Sequence, residues 1–277
     1  MMQRLARMAN ALSLDVAAGA WLCGRLGFWW LGEEPPWAWE LALPLATWLA
    51  YLGDHLLDAR RLPAERLAAR RRLHLRWQRP LAAAWLLGLA GGIALLPHMP
   101  PALLRFGLGM ALACGLYLAA AQGRAMGDWK EASVALLYGL AVWGGAWSLH
   151  PAQAGLAYGL AALQFELFSF SNLLIFSALE RNEDLREGQG SFAAARSERQ
   201  ALRWAAGAAA LSALPGLALL GLEGFSSQAL ILEGILLLMG LVHLLMAGFP
   251  DVFHRQEGYR LLGDGIFLLP GTIVLFS

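Results

Sequence analysis

The chain has 277 residues, 58% of them hydrophobic and 15% charged, with a formal net charge of +1 and a mean hydropathy of +0.51. These values exclude an ordinary soluble domain and give no reason to expect a nucleic-acid partner. Apolar runs of about 18–25 residues, each able to cross roughly 30 Å of hydrocarbon, cover most of the length, so residues 1–277 read as one all-α polytopic membrane domain.

Arg4 and Arg7 precede the first apolar run, which is long, contains Asp15 and Arg25 and lacks a signal-peptidase-like site. It reads as a retained helix. Spans at 11–32, 37–58, 80–97, 102–122, 132–149, 153–179, 201–221, 228–248 and 260–276 predict nine transmembrane helices around a central cavity opening to the cytoplasmic side. Cys23 and Cys114 both lie inside apolar runs and read as packing residues.

The connections alternate in character. Those at 59–79, 123–131, 180–200 and 249–259 are polar and mostly basic, whereas 33–36, 98–101, 150–152 and 222–227 carry no Lys or Arg. Of the 21 Lys and Arg residues, only Arg25 and Arg105 fall outside the N-terminus, the basic loops and their flanking helix ends. The positive-inside rule then puts the basic face in the cytoplasm and the C-terminus outside, as expected for a multi-pass protein of the bacterial inner (plasma) membrane.

The loop 59–79 is the most basic segment, with Arg60, Arg61, Arg66, Arg70, Arg71, Arg72, Arg76 and Arg79 around Leu67, Leu73, His74 and Trp77. Its pattern allows a short amphipathic helix. Such a cluster either sets topology and touches anionic headgroups, or forms a lid whose guanidinium groups steady phosphate. Within the spans, Arg25 and Glu40 flank the short 33–36 connection at similar depth and suggest a structural ion pair. Asp15 and Asp264, near the cytoplasmic ends of their spans, either line the cavity or occupy helix-start positions that favour acids.

Two acidic stretches stand out. Tyr51-Leu-Gly-Asp54-His-Leu-Leu-Asp58 ends the second apolar run, and Glu180-Arg-Asn-Glu183-Asp184-Leu-Arg186-Glu-Gly188 ends the sixth. In each, carboxylates four apart share one helix face, about 6 Å apart along the axis. Acids are disfavoured at a helix C-terminus, and like charges at this spacing repel by roughly 0.2–0.5 kcal/mol. A cost borne twice at the same membrane face points beyond a solvated helix end. Mg²⁺, which takes one or two carboxylates, several waters and substrate phosphate, suits such pairs.

At these residues the chain resembles the UbiA superfamily of intramembrane prenyltransferases, whose acidic motifs follow helices 2 and 6. Aligned on the last two aspartates of the family's N-D-x-x-D-x-x-x-D, the chain supplies Asp54 and Asp58 but has Ala50 and Tyr51 in place of Asn and Asp. At the second motif, D-x-x-x-D followed by glycine and a basic-Ser/Thr pair, it has Glu180, Asp184, Gly188 and Gly190-Ser191.

The resemblance implies a Mg²⁺-dependent transfer of an isoprenyl group from its diphosphate to a lipophilic acceptor, aromatic or other. In that scheme Asp54 and Asp58 hold one ion, and Glu180 and Asp184 the other. Arg124 or Lys130, in the connection between the fourth and fifth spans, and Arg61 assist the diphosphate. Tyr51, Tyr117 and Asn172 are cavity candidates. The alternatives are a UbiA-type membrane terpene cyclase and a non-catalytic binder or transporter of prenyl or polyprenyl phosphates.

Overall fold

The computed structural model describes residues 8–59, 69–122, 127–255 and 258–274, and every regular element among them is helical. The helices of eight residues or more are, in chain order, α1 (Leu14–Leu31), α2 (Trp37–Ala59), α3 (Ala69–Arg76), α4 (Gln78–Leu95), α5 (Pro101–Gln122), α6 (Lys130–Leu149), α7 (Leu156–Glu187), α8 (Glu198–Leu211), α9 (Ala213–Leu222), α10 (Ser227–Gly248) and α11 (Gly258–Gly265).

The expectation of nine transmembrane helices is corrected by this structure. Among the described residues, six helical segments are long and apolar enough to cross a membrane: Gln78–His98, Pro101–Ala121, Gly127–Leu149, Leu156–Glu187, Glu198–Leu222 and Ser227–Gly248. The expected spans 11–32 and 37–58 do form helices, α1 and α2. However, α1 carries Asp15 and Arg25 among its tryptophans, and α2 carries Glu40, Asp54 and Asp58. The expected span 260–276 breaks instead into α11, a 3₁₀ turn at Ile266–Leu268 and the short helix Gly271–Val274. Counting apolar residues overstated these three segments because each mixes charge, Gly or Pro into its apolar run.

Helix α7 is the longest, with 32 residues, about 48 Å at 1.5 Å per residue. It exceeds the roughly 30 Å of a hydrocarbon core, so a third of it can project beyond the apolar zone. It packs against α6, α8, α9, α10 and α11. One core cluster joins Phe28, Trp39, Val142, Trp143, Phe165, Phe168, Leu236 and Met239, and a second surrounds Leu174, Ile175, Ala201, Ala205 and Met246. Helices α4 and α5 lean on α2 and α6 respectively and leave Leu86, Leu87, Leu108, Leu112 and Leu116 exposed. Such a surface suits lipid, where an apolar side chain needs no partner.

Local signals set the helix ends. Ser197 and Ser226 accept from the backbone N–H groups of Gln200 and Ala229, capping α8 and α10. Helix α7 stops at Gly188, whose φ of +62° suits a residue without Cβ, and the Gln189 N–H folds back to the Asp184 carbonyl at 2.8 Å. Arg25 and Glu40 form the expected ion pair at 2.7 Å, tying α1 to α2.

The C-terminal segment approaches its neighbours closely. A Cβ on Gly263 would lie 2.7 Å from Asn172 Oδ1 and 2.9 Å from Phe176 Cζ, and one on Gly19 would lie 2.8 Å from Phe267 Cβ. Space at Gly263 therefore sets how tightly α11 docks on α7. Gly263→Ala should destabilise the protein by about 1–3 kcal/mol through overpacking. Gly207→Ala, at a position with nothing within 4 Å, should be neutral or slightly stabilising. Thermal unfolding of both variants in one detergent checks this; equal melting temperatures would contradict the close docking.

Candidate functional site

The C-terminal end of α2, the C-terminal end of α5, the start of α6, the last third of α7 and α11 all reach the same end of the bundle, where the described basic loops lie. They enclose a cavity of about 210 Å³. This is below the ~300–1,000 Å³ usual for drug-sized ligands, a size for a head group rather than an entire long-chain lipid. Its polar lining includes Asp54, Asp58, Glu180 and Asp264 against Arg71, Lys130 and Arg260. Val16, Val134, Leu173, Phe176 and Phe267 make it apolar elsewhere, so anionic, cationic and greasy surfaces meet in one space.

Of the residues singled out in the sequence, Asp54, Asp58, Glu180, Lys130, Tyr51, Tyr117 and Asn172 line this cavity together. Asp184 does not. It is buried behind the wall, accepting from the Ser191 hydroxyl and facing Arg71 Nη2 at 3.8 Å. Arg61 and Arg124 lie outside the described residues. Asp264 reaches the cavity, and Asn10 Nδ2 donates both to it and to Asp15, at 2.7 and 2.8 Å.

Helix α3 lies over the cavity although its sequence is mostly charged. The His74 ring is buried against His55 of α2, with centroids 4.9 Å apart. Arg71 is ion-paired with Glu187 and donates to Gln189 Oε1 at 3.0 Å; Gln189 Nε2 in turn donates to Asp58 Oδ2 at 3.0 Å. The αL stop at Gly188 is what turns Gln189 back toward α2, so one amide bridges the two acidic stretches and the lid.

Elsewhere in the lining, Glu180 Oε1 receives Arg260 Nη2 at 3.1 Å and the Tyr259 hydroxyl at 3.3 Å, while Arg260 Nε donates to the Tyr259 oxygen at 3.1 Å. Burial first, and the Glu180 charge next, push the Tyr259 phenol well above its ordinary pKa, which keeps it a donor at neutral pH. Sequence reading did not single out Gln189, Tyr259 or Arg260. The available signals were Gln189 between two glycines and Arg260 four residues before Asp264.

Among the described residues, no three His, Cys, Asp or Glu side chains converge to hold a metal ion. Mg²⁺ asks for less, since one or two carboxylates suffice when water and phosphate complete its octahedron. Asp54 and Asp58, one helical turn apart and both lining the cavity, meet that requirement. Glu180 and Asp184 offer no such pair to the cavity, because Glu180 is ion-paired with Arg260 and Asp184 lies outside the lining, against Ser191 and Arg71.

The fold and cavity define a class: a multi-pass helical membrane protein with a charged, half-apolar chamber at one end of its bundle. Solved structures of a UbiA homologue from Archaeoglobus fulgidus share this architecture. The form bound to DMAPP and Mg²⁺ aligns with a TM-score of 0.68 at 12% identity over 97% of this chain and 99% of that one. The form bound to GPP and Mg²⁺ gives 0.67 at 15% identity over 97% and 100%, and a third structure 0.67 at 14% over 98% and 99%. No protein-family model matches the chain, and neither does any curated protein. At these identities the likeness establishes the fold, and it is the fold that the sequence resemblance implies.

The Gln189 bridge makes a specific demand on α3. Gln189→Ala removes two hydrogen bonds, one from Arg71 and one to Asp58, each worth about 0.5–1.5 kcal/mol. Amide exchange over Ala69–Arg76 should speed up in this variant while exchange in the core of α10 stays unchanged. Unaltered exchange in α3 would contradict the bridging role.

Proposed function

We propose that the protein is a divergent member of the UbiA superfamily that binds an isoprenyl diphosphate in this cavity and transfers its prenyl group to a lipophilic acceptor. One observation carries the reading: Asp54, Asp58, Glu180, Lys130 and Arg71 line a single chamber with an apolar interior. The chamber belongs to a fold shared with a UbiA homologue described as bound to DMAPP or GPP with Mg²⁺.

In this reading Asp54 and Asp58 hold Mg²⁺, which when bound supplies Lewis-acid neutralisation of charge on the departing oxygen. Lys130, at the first turn of α6, and Arg71, on the lid, receive the diphosphate oxygens through charge-assisted hydrogen bonds. Those bonds strengthen as the allylic C–O bond breaks and its electron pair passes to the leaving group, which is where binding accelerates chemistry. Tyr51, Tyr117 and Tyr138 offer ring faces to positive charge developing on the prenyl carbon. Lid α3 keeps water from that carbon, and Asn172 and Asp264 add polar groups to the lining. The cavity mouth faces the cytoplasm because the basic connections gather at its end of the bundle.

Two expectations test the reading. Wild-type protein in lipid with an allylic diphosphate, Mg²⁺ and a lipophilic aromatic acceptor should release diphosphate. Asp58→Asn and Lys130→Gln should each lower the rate about 10²–10³-fold, the loss typical of removing one charge-stabilising group. Release without acceptor would point to a cyclase, and tight binding with no release would reduce the protein to a carrier.

For orientation, an impermeant maleimide applied to intact cells should label Ala152→Cys, on the connection between α6 and α7. It should reach Arg199→Cys, near the start of α8, only after permeabilisation, with Cys23 and Cys114 replaced by Ala in both. The opposite pattern would refute a cytoplasmic cavity.

A further inference from the structure

Magnesium at the first acidic pair leaves the second pair to be explained. Glu180 and Asp184 share a helix face in sequence, yet only Glu180 lines the cavity. Glu180 lines the cavity, its Oε1 held by Arg260 Nη2 at 3.1 Å and by Tyr259 at 3.3 Å, and Arg260 also approaches Glu183 Oε2 at 3.9 Å. Asp184 is 7% exposed, takes the Ser191 hydroxyl and lies 3.8 Å from Arg71, whose close ion-pair partner is Glu187. A divalent ion on this wall would have to displace a guanidinium group from Glu180 or sit against it, and like charges repel strongly where water is scarce.

Both arginines face inward. Arg71 and Arg260 line the same cavity as Asp54 and Asp58, one from α3 and the other from α11. Arg260 is itself 9% exposed, and its side chain is fixed at three points: Glu180, Glu183 and Tyr259. A guanidinium held in this way loses little freedom on binding an anion, and it presents its charge to phosphate oxygens from a fixed direction. Lysine, by contrast, offers a mobile point charge, so the fixed guanidinium adds orientation as well as charge.

We propose that Arg260, assisted by Arg71, takes the place of a second divalent cation. The diphosphate lies between one Mg²⁺ at Asp54 and Asp58 and these two guanidinium groups, and Glu180 positions Arg260 instead of binding metal. This rests on the isoprenyl diphosphate reading above and adds to it a site residue and an ion count. It also gives the chain's departures from the family pattern one direction. The first acidic stretch has lost a carboxylate at Tyr51, the second carries Glu180 where the family commonly has Asp, and fixed positive charge stands where fewer ions are held.

The test uses the full-length protein in lipid nanodiscs with Mn²⁺ as the countable metal and a non-cleavable S-thiolo analogue of a ten-carbon prenyl diphosphate. Electron paramagnetic resonance should count one Mn²⁺ per protein in the ternary complex. Arg260→Gln should weaken analogue binding at least tenfold while the Mn²⁺ count stays at one, and Arg260→Lys should recover only part of the loss. Two Mn²⁺ per wild-type protein would overturn the inference whatever the variants do, as would Arg260→Gln binding the analogue within twofold of wild type. The wild-type count stands even if a variant fails to fold. No binding of the analogue to wild type at any Mn²⁺ concentration would instead sink the prenyl diphosphate reading itself.

Discussion

A carboxylate at the edge of a hydrocarbon layer must be paired, and this constraint shapes the described end of the molecule. An unpaired charge near mid-bilayer costs at least ~2.5–3.5 kcal/mol, and a buried pair that loses one partner is destabilised more than a pair that was never there. Here several acids have a cationic or amide counterpart, most of them brought from a distant part of the chain. Glu180 meets Arg260, Glu187 meets Arg71, Asp58 meets Gln189, and Asp15 and Asp264 share Asn10. The lid helix, the long helix and the C-terminal segment are thereby held around one chamber, so pairing that satisfies electrostatics also builds the site.

The same pairing explains why helix α7 is so long. A helix of ordinary membrane length, about 20 residues, starting at Leu156 would end near Ile175, before the acidic stretch, and leave its carboxylates on irregular chain. Continuing to Glu187 keeps Glu180, Glu183 and Asp184 on regular backbone, and Gly188 then reverses the chain so that Gln189 and Ser191 return to the site. The stop signal is therefore as much a part of the cavity as the acids are. Close packing completes the arrangement, because α11 reaches Glu180 only where Gly263 allows it to press against Asn172 and Phe176.

Much of this was legible in the chain. The acidic stretches, the alternation of basic loops with loops lacking Lys and Arg, and the Arg25–Glu40 pair follow from spacing and sign alone, and the structure brings Asp54, Asp58, Glu180, Lys130, Tyr51, Tyr117 and Asn172 to one cavity. What hydropathy misjudged was continuity. It counted α1, α2 and the segment after Gly258 as full spans, although charge in the first two and Gly265 and Pro270 in the last leave them short of that description. Helical periodicity placed Asp184 beside Glu180 on one face but could not show that Asp184 would take the hydroxyl of Ser191, seven residues on, and stay outside the cavity lining. Arg260 escaped notice for a related reason: its importance comes from a contact across 80 residues of sequence, to Glu180, and no local pattern encodes such a contact.

The chamber's role as a diphosphate site is the claim on which the functional account stands. Phosphorus-31 NMR of the full-length protein in nanodiscs, with a prenyl thiolodiphosphate and a nitroxide attached at Gly190→Cys beside the cavity mouth, tests it by distance. Paramagnetic broadening should be strong for both phosphorus signals and should vanish when excess inorganic diphosphate with Mg²⁺ competes for the site. Phosphorus signals that stay sharp beside the nitroxide while the analogue is bound would place the head group elsewhere and contradict the account.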